Sequence, residues 1–287
     1  VIATAPATAE DALRERVAEA FGTIRSWNVV GVTRRTRIVR AGRDTIVVKP
    51  LSSSSRAEAL RAVMDAVHAA GVPGPRLLAC LDVDCMRVVV FEYIAGTTLI
   101  GTPAHADEPW REPFAVLRQL RDVRCLYSTV DRAMAIDRQW LDRLSTLARE
   151  DDTAAAVHDA LSRAAAPTYG ALAHGDFAPQ NLVRGIDGRA VTPIDWEEAG
   201  YARAGLDGGW LLALNRVGAG PALTRERVWD ACRTAGLSTE ELVWGEGLGL
   251  LRLYYRVTTW GRSDDRWAAK QAWIRAALGS YAERYPT

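Results

Sequence analysis

The sequence predicts an α+β protein of two lobes, with a small antiparallel-sheet lobe over residues 1–95 and a larger, mainly helical lobe over residues 96–287. Three observations predict it. β-Branched segments broken by turn residues crowd between Val29 and Tyr93, and amphipathic stretches of helical length dominate after Gly96. The third is length: 287 residues make about two units at a prior of roughly 150 residues each, enough to bury a sizeable core.

The elements follow in order. Asp11 to Phe21 carries a helical apolar period, and Val29 to Lys49 reads as strands folded about the Ala41-Gly42-Arg43-Asp44 turn. Ser52 to Ser55 precedes a helix over Arg56 to Ala70. Strands are expected near Arg76 to Leu81 and Arg87 to Tyr93, and helices over Pro113 to Tyr127, Asp137 to Glu150 and Ala154 to Ala165. Leu182-Val183-Arg184 and Ala190-Val191-Thr192 flank Gly185-Ile186-Asp187-Gly188 as a hairpin, and from Gly209 onward the chain is again helix-rich.

The chemistry concentrates in His174-Gly175-Asp176-Phe177-Ala178-Pro179-Gln180-Asn181 and in Asp195, fourteen residues further on. Moving a phosphoryl group to a hydroxyl requires a carboxylate to accept the hydroxyl proton, beside hard oxygen ligands for the magnesium that bridges the phosphates. Asp176 fits the first role. Asn181 and Asp195 fit the second, because the hairpin between them folds the two positions together. His174 is expected to be a packed, loop-shaping histidine, since catalytic use needs an exposed ring nitrogen.

Lysine usage points the same way. Of 36 basic residues only Lys49 and Lys270 are lysines, so Lys49, at the end of Thr45-Ile46-Val47-Val48, sits where a compact ammonium suits a phosphate better than a guanidinium fork. A carboxylate should hold it. Glu58 and Asp65, on the following helix, are the two candidates, although Ser55-Arg56-Ala57-Glu58 also reads as a capping box.

Lys49, Glu58, HGDFAPQN and the IDWEEAG run at 194–200 together resemble the aminoglycoside phosphotransferase family, relatives of protein kinases that phosphorylate antibiotics and small metabolites. The resemblance extends to Gly71-Val72-Pro73-Gly74-Pro75 and to Val88 to Gly96, similar to the family's lobe-joining strand and hinge. It implies the two-lobed protein-kinase-like fold, ATP or GTP as donor with Mg2+, backbone contacts from Glu92 and Ile94 to the base edge, and Asp207 as a brace of the catalytic loop. There are departures. Gly31 stands in the first hairpin without a GxGxxG, leaving Thr33, Arg34 or Arg35 to cover the phosphates, and the glycines of Gly245-Glu246-Gly247-Leu248-Gly249 fit close helix packing better than a phosphate loop.

For the acceptor, Glu197, Glu198, Glu246, Asp264 and Asp265 are candidates to pair substrate amines, with Trp260 or Tyr255 offering an aromatic face. The acceptor expected is a cationic antibiotic, either an aminoglycoside or a cyclic peptide of the capreomycin and viomycin type. A metabolite kinase of choline, sugar or amino-alcohol type shares the same catalytic residues, and a silent pseudokinase is the remaining alternative.

A net charge of +1 without a basic, aromatic-interleaved stripe excludes nucleic acid as the main partner, and no apolar run reaches the roughly 18 residues of a membrane span. Val1 to Ala9 lacks the pattern of a signal peptide and reads as a loose tail. Cys80, Cys85, Cys125 and Cys232 match no zinc spacing, which fits a reducing cytosol; a monomer is expected.

Overall fold

The computed structural model describes residues 9–30, 36–51, 54–84, 86–100, 108–165, 167–186, 188, 190–259 and 265–285, with the side chains of 54, 55, 108, 109, 265 and 266 left aside. Gly31, Thr33, Arg34, Arg35, Cys85, Trp260, Asp264 and the side chain of Asp265 therefore lie outside the described residues.

The N-terminal part is a helix, α1 (Ala9–Phe21), on a five-stranded antiparallel sheet of β1 (Ile24–Val30), β2 (Thr36–Ala41), β3 (Asp44–Leu51), β4 (Leu77–Val83) and β5 (Met86–Glu92), ordered β1-β2-β3-β5-β4. The strands form because their β-branched residues alternate faces. Val39, Ile46, Val48, Val88 and Val90 close one apolar layer with Leu13 and Val17 of α1. On the other face lies α2 (Ser54–Ala69), whose Leu60, Val63, Met64 and Val67 are fully buried at helical spacing. Each such side chain contributes about 1.5–3 kcal/mol by leaving water.

Beyond β5 the chain crosses Tyr93 to Ala95 into β6 (Gly96–Thr98), α3 (Glu108–Asp122), β7 (Arg124–Leu126), α4 (Ile136–Glu150) and α5 (Asp152–Arg163). Two small sheets follow: β8 (Tyr169–Ala173) pairs β7 and β11 (Gly200–Ala202), while β9 (Leu182–Gly185) pairs β6 and β10 (Val191–Pro193). Four helices complete the described chain: α6 (Leu206–Arg216), α7 (Arg225–Thr234), α8 (Thr239–Thr259) and α9 (Asp265–Arg284). No described helix is long and apolar enough to cross a membrane.

The glycines of α8 have the packing role anticipated for them. A Cβ on Gly209 of α6 would stand 2.0 Å from the Gly245 carbonyl carbon, and one on Gly245 would stand 2.1 Å from the Gly205 oxygen. The two helices touch backbone to backbone. The same helix overturns one expectation. Glu246 is completely buried, ion-paired to Arg216 at 3.0 Å and Arg225 at 2.7 Å, so it is spent on holding α6, α7 and α8 together and faces no acceptor. Glu246→Gln is therefore expected to cost about 3 kcal/mol of stability, because two guanidiniums lose their counter-charge in a poorly hydrated place. Acceptor KM should not move; chemical denaturation and steady-state kinetics on the same preparation check both halves.

Candidate functional site

The site is assembled by two turns that cross. Between β8 and β9, His174 to Asn181 form a loop whose reversal depends on Gly175, with φ of +83° and a Cβ position only 2.2 Å from the Glu198 oxygen. Any side chain there would collide with backbone. Between β10 and β11, Asp195 takes the left-handed conformation, φ +69° and ψ +53°, an unusual choice for a non-glycine residue and a frequent mark of functional sites.

Buried groups brace the loop. Asp207, at the start of α6, accepts the backbone N–H of His174 at 2.7 Å and of Gly175 at 2.9 Å. Burial pushes its carboxyl up, opposed by His174 and those two N–H groups. His174 is itself inaccessible and packs against Trp196, with ring centroids 4.6 Å apart. Its Nε2 lies 2.8 Å from the Ile194 oxygen and its Nδ1 accepts from the Asp176 N–H at 3.3 Å. That pattern fixes the Nε2–H tautomer and ties the two turns together.

Asn181 and Asp195 are brought side by side, since the Ile194 N–H donates to the Asn181 oxygen at 2.8 Å. The Asn181 Nδ2 group donates to the Asp176 backbone oxygen at 2.9 Å and to Asp176 Oδ2 at 3.2 Å. Both amide hydrogens are thereby used, and the Oδ1 carbonyl is left as the acceptor that a hard cation prefers. Among the described residues no group of three or more His, Cys, Asp or Glu side chains could hold a metal alone. One carboxylate and one amide fit magnesium that arrives with phosphate oxygens.

Lys49 is buried on β3 and reaches across to this pair. Its ammonium bonds Asp195 Oδ1 and stands 3.7 Å from Glu197 Oε2. The expected helix carboxylates are elsewhere. Glu58 and Asp65 are exposed and line a surface hollow with Arg61, Cys80 and Arg87. The reason is rotational: residues two apart on a helix point about 200° apart, and it is Arg56 that α2 turns inward. Arg56 donates through Nε to the Glu197 oxygen at 2.8 Å, through Nη1 to the Ala133 oxygen at 3.1 Å and through Nη2 to the Ala199 oxygen at 2.7 Å. This staple fixes the turn that carries Glu197. Glu58→Gln should leave nucleotide affinity unchanged, whereas Glu197→Gln should weaken it about two- to fivefold, the size of a part-exposed ion pair; calorimetric titration separates them.

A cavity of about 180 Å³ opens beside Lys49, lined mainly by apolar side chains that include Val30, Val47, Phe91, Ile94 and Trp196. Glu92 and Ile94 both border it. The Glu92 carboxylate accepts Arg76 N–H at 3.0 Å and Arg76 Nε at 2.7 Å, and the Glu92 N–H donates to the Arg76 oxygen at 3.0 Å, so neither its carboxylate nor its N–H is open to a ligand. Ile94 lies past the last β5 rung, outside the strand ladders.

On the other side of Asp176 stands a group the sequence did not announce. Arg252 and Arg256 of α8 are one turn apart; Arg252 lies between the Trp140 and Trp210 rings, 4.4 and 4.5 Å from their centroids. Arg256 Nη1 is 3.5 Å from Asp176 Oδ1. Glu198 accepts Trp140 Nε1–H at 3.1 Å and lies 4.0 Å from Arg252. Of the acceptor candidates among described side chains, Glu198 borders this region and Tyr255 stands edge-on to Trp140, at 6.3 Å. An arginine pair at i, i+4 was visible in the sequence, but only the tertiary path of α8 brings it to Asp176.

A small antiparallel sheet joined to a helical body, with Lys49, Asp176, Asn181 and Asp195 at the junction, defines a kinase-like phosphotransferase class. Residues 28–242 match the phosphotransferase enzyme family (APH), and the chain belongs to it. No curated protein sequence matches. Among solved structures the chain is similar in fold to aminoglycoside phosphotransferase APH(4)-Ia, at 17% identity with 98% of this chain and 100% of that chain covered and a TM-score of 0.68. Spectinomycin phosphotransferase APH(9)-Ia, in complex with ADP and spectinomycin, follows at 13% identity, 97% and 98% coverage and 0.64. Choline kinase LicA from Streptococcus pneumoniae follows at 14%, 95% and 99%, and 0.63.

Proposed function

We propose that the chain is a magnesium-dependent kinase that moves the γ-phosphoryl group of ATP or GTP to a hydroxyl of a small molecule. The observation that carries this reading is the continuous hydrogen-bonded set in which Lys49 meets Asp195 while Asn181 meets Asp176. The base lies in the apolar cavity against the Glu92 and Ile94 backbones. Lys49 holds the phosphates by charge, and Asn181 and Asp195 hold the metal. The chemistry a bound magnesium supplies is neutralisation of charge on the phosphate oxygens.

Asp176 is the general base. Oδ2 is oriented by Asn181, while Oδ1 is buried beside Arg256 and accepts no hydrogen bond; the carboxylate so held is the group that takes the acceptor proton. The complete set disfavours a silent pseudokinase.

An antibiotic is the acceptor class we propose first, as for the fold relatives that bind hygromycin B and spectinomycin. A metabolite kinase is the second reading, on the fold likeness to choline kinase LicA. With Glu246 committed to Arg216 and Arg225, the cationic acceptor expected from sequence retains Glu198 as its described acidic anchor at the site. The protein acts as a cytoplasmic monomer. Transfer of labelled γ-phosphate from ATP and from GTP, run against several antibiotic classes and amino alcohols, tests the function: a phosphorylated product in one class supports it, and nucleotide that neither binds nor turns over contradicts it.

A further inference from the structure

Asp195 holds its left-handed conformation although it is not a glycine, and such a residue persists only where the surrounding structure fixes the chain about it. Upstream the fixing bond is local: the Ile194 N–H donates to the Asn181 oxygen. Downstream the chain makes a single 3₁₀ turn, Trp196–Glu198, closed by the Ala199 N–H on the Trp196 oxygen at 2.9 Å. A turn so short, with poor hydrogen-bond geometry, has little hold of its own. What holds it from outside is Arg56.

Nε and Nη2 of Arg56 both donate to the Glu197 oxygen, Nη2 also reaches the Ala199 oxygen at 2.7 Å, and Nη1 bonds the Ala133 oxygen at 3.1 Å. Three carbonyls from two segments of the helical part thus converge on one planar fork carried by α2. The other side of the turn is closed by the catalytic loop, since the Glu198 oxygen lies 2.2 Å from where a Cβ on Gly175 would stand. The segment after Asp195 is therefore gripped between α2 and that loop. Burial lowers the Arg56 pKa, opposed first by Glu198; a part-desolvated guanidinium is kept where carbonyl dipoles meet it.

We propose that Arg56 is a positioning residue for the metal-nucleotide. Its fork on the Glu197 and Ala199 carbonyls holds Asp195 in the conformation that presents its carboxylate, so α2 acts on the site through backbone and not through a carboxylate of its own on Lys49. This rests on the metal role proposed for Asp195.

The test is calorimetry of ATP on the full chain, with and without magnesium. Arg56→Ala should weaken magnesium-ATP binding about tenfold, the low end for losing an outer-shell partner of a metal site, and change metal-free ATP binding by less than about twofold. A purely structural role would move both affinities together. Arg56→Lys keeps the charge but concentrates it at one point that cannot span the carbonyls, so it should recover little; it carries the same comparison if Arg56→Ala does not fold. Guanidinium added to Arg56→Ala, far below unfolding concentrations, should restore magnesium-ATP affinity by entering through the cavity of about 280 Å³ that Arg56 lines, whereas ammonium at equal concentration should not. Variants that keep the wild-type gain from magnesium, a loss equal with and without magnesium, or rescue by ammonium as well as guanidinium would each overturn the proposal while leaving the kinase reading in place. A wild type whose ATP binding does not respond to magnesium overturns both.

Discussion

Replacing Asp176 with asparagine is expected to lower turnover by about 10²–10⁴ while nucleotide affinity stays within about twofold. The amide preserves shape and can still meet Asn181, so the loop keeps its conformation. What it loses is a carboxylate oxygen able to accept the hydroxyl proton. Arg256, 3.5 Å from Oδ1, is left beside a neutral group but is partly exposed, so the structural penalty is small. Pre-steady-state phosphotransfer with calorimetry of ATP checks both halves. Turnover equal to wild type removes Asp176 from the mechanism.

The second large effect is expected at Asp195. Asp195→Ala removes the proposed anionic metal ligand and the closest partner of Lys49 together. Metal affinity falls 10–100-fold even when only an outer-shell partner of a metal site is lost, so losing a direct carboxylate should weaken magnesium-nucleotide binding by at least about 100-fold. The diagnostic is the form of the loss. Wild-type affinity should rise with magnesium, whereas the residual affinity of the variant should not respond to it. A variant that keeps a magnesium-dependent gain would contradict the metal assignment.

The parts of the site that were legible in sequence are those set by local spacing. Asp176 to Asn181 is one loop, and the hairpin from Leu182 to Pro193 returns Asp195 to it, so two short runs of residues specify the arrangement. His174 is a packed member of the same loop, whereas the bracing role of Asp207, 33 residues further along the chain, was implied only by the family resemblance. The partner of Lys49 was not legible, because Glu58 and Arg56 compete for the inward face of α2 and only the packing of Leu60, Val63 and Val67 settles the rotation. Glu246 misled for a related reason: α8 is apolar nearly all round, and a carboxylate within it gives no sign of whether solvent or two arginines await it.

The fold shows the same division. The strands over Thr36 to Lys49 and the main helices follow their apolar periods. β6, β7 and β11, each only three residues long, carry too little pattern to be read, and they exist because neighbouring strands supply their partners. α3 begins before Pro113 rather than at it, so Pro113 stands inside the helix and forgoes one helical hydrogen bond.

The central claim is that Lys49, Asn181 and Asp195 gather about one triphosphate and its cation while Asp176 stays outside the coordination. Determining the structure of the protein with magnesium and a non-hydrolysable ATP analogue tests it most directly. The expected result has the metal on Asn181 Oδ1, Asp195 and phosphate oxygens, with the Lys49 ammonium on the phosphates and Asp176 directed at solvent or acceptor. A triphosphate seated away from Lys49, or a metal coordinated without Asn181 and Asp195, would contradict it.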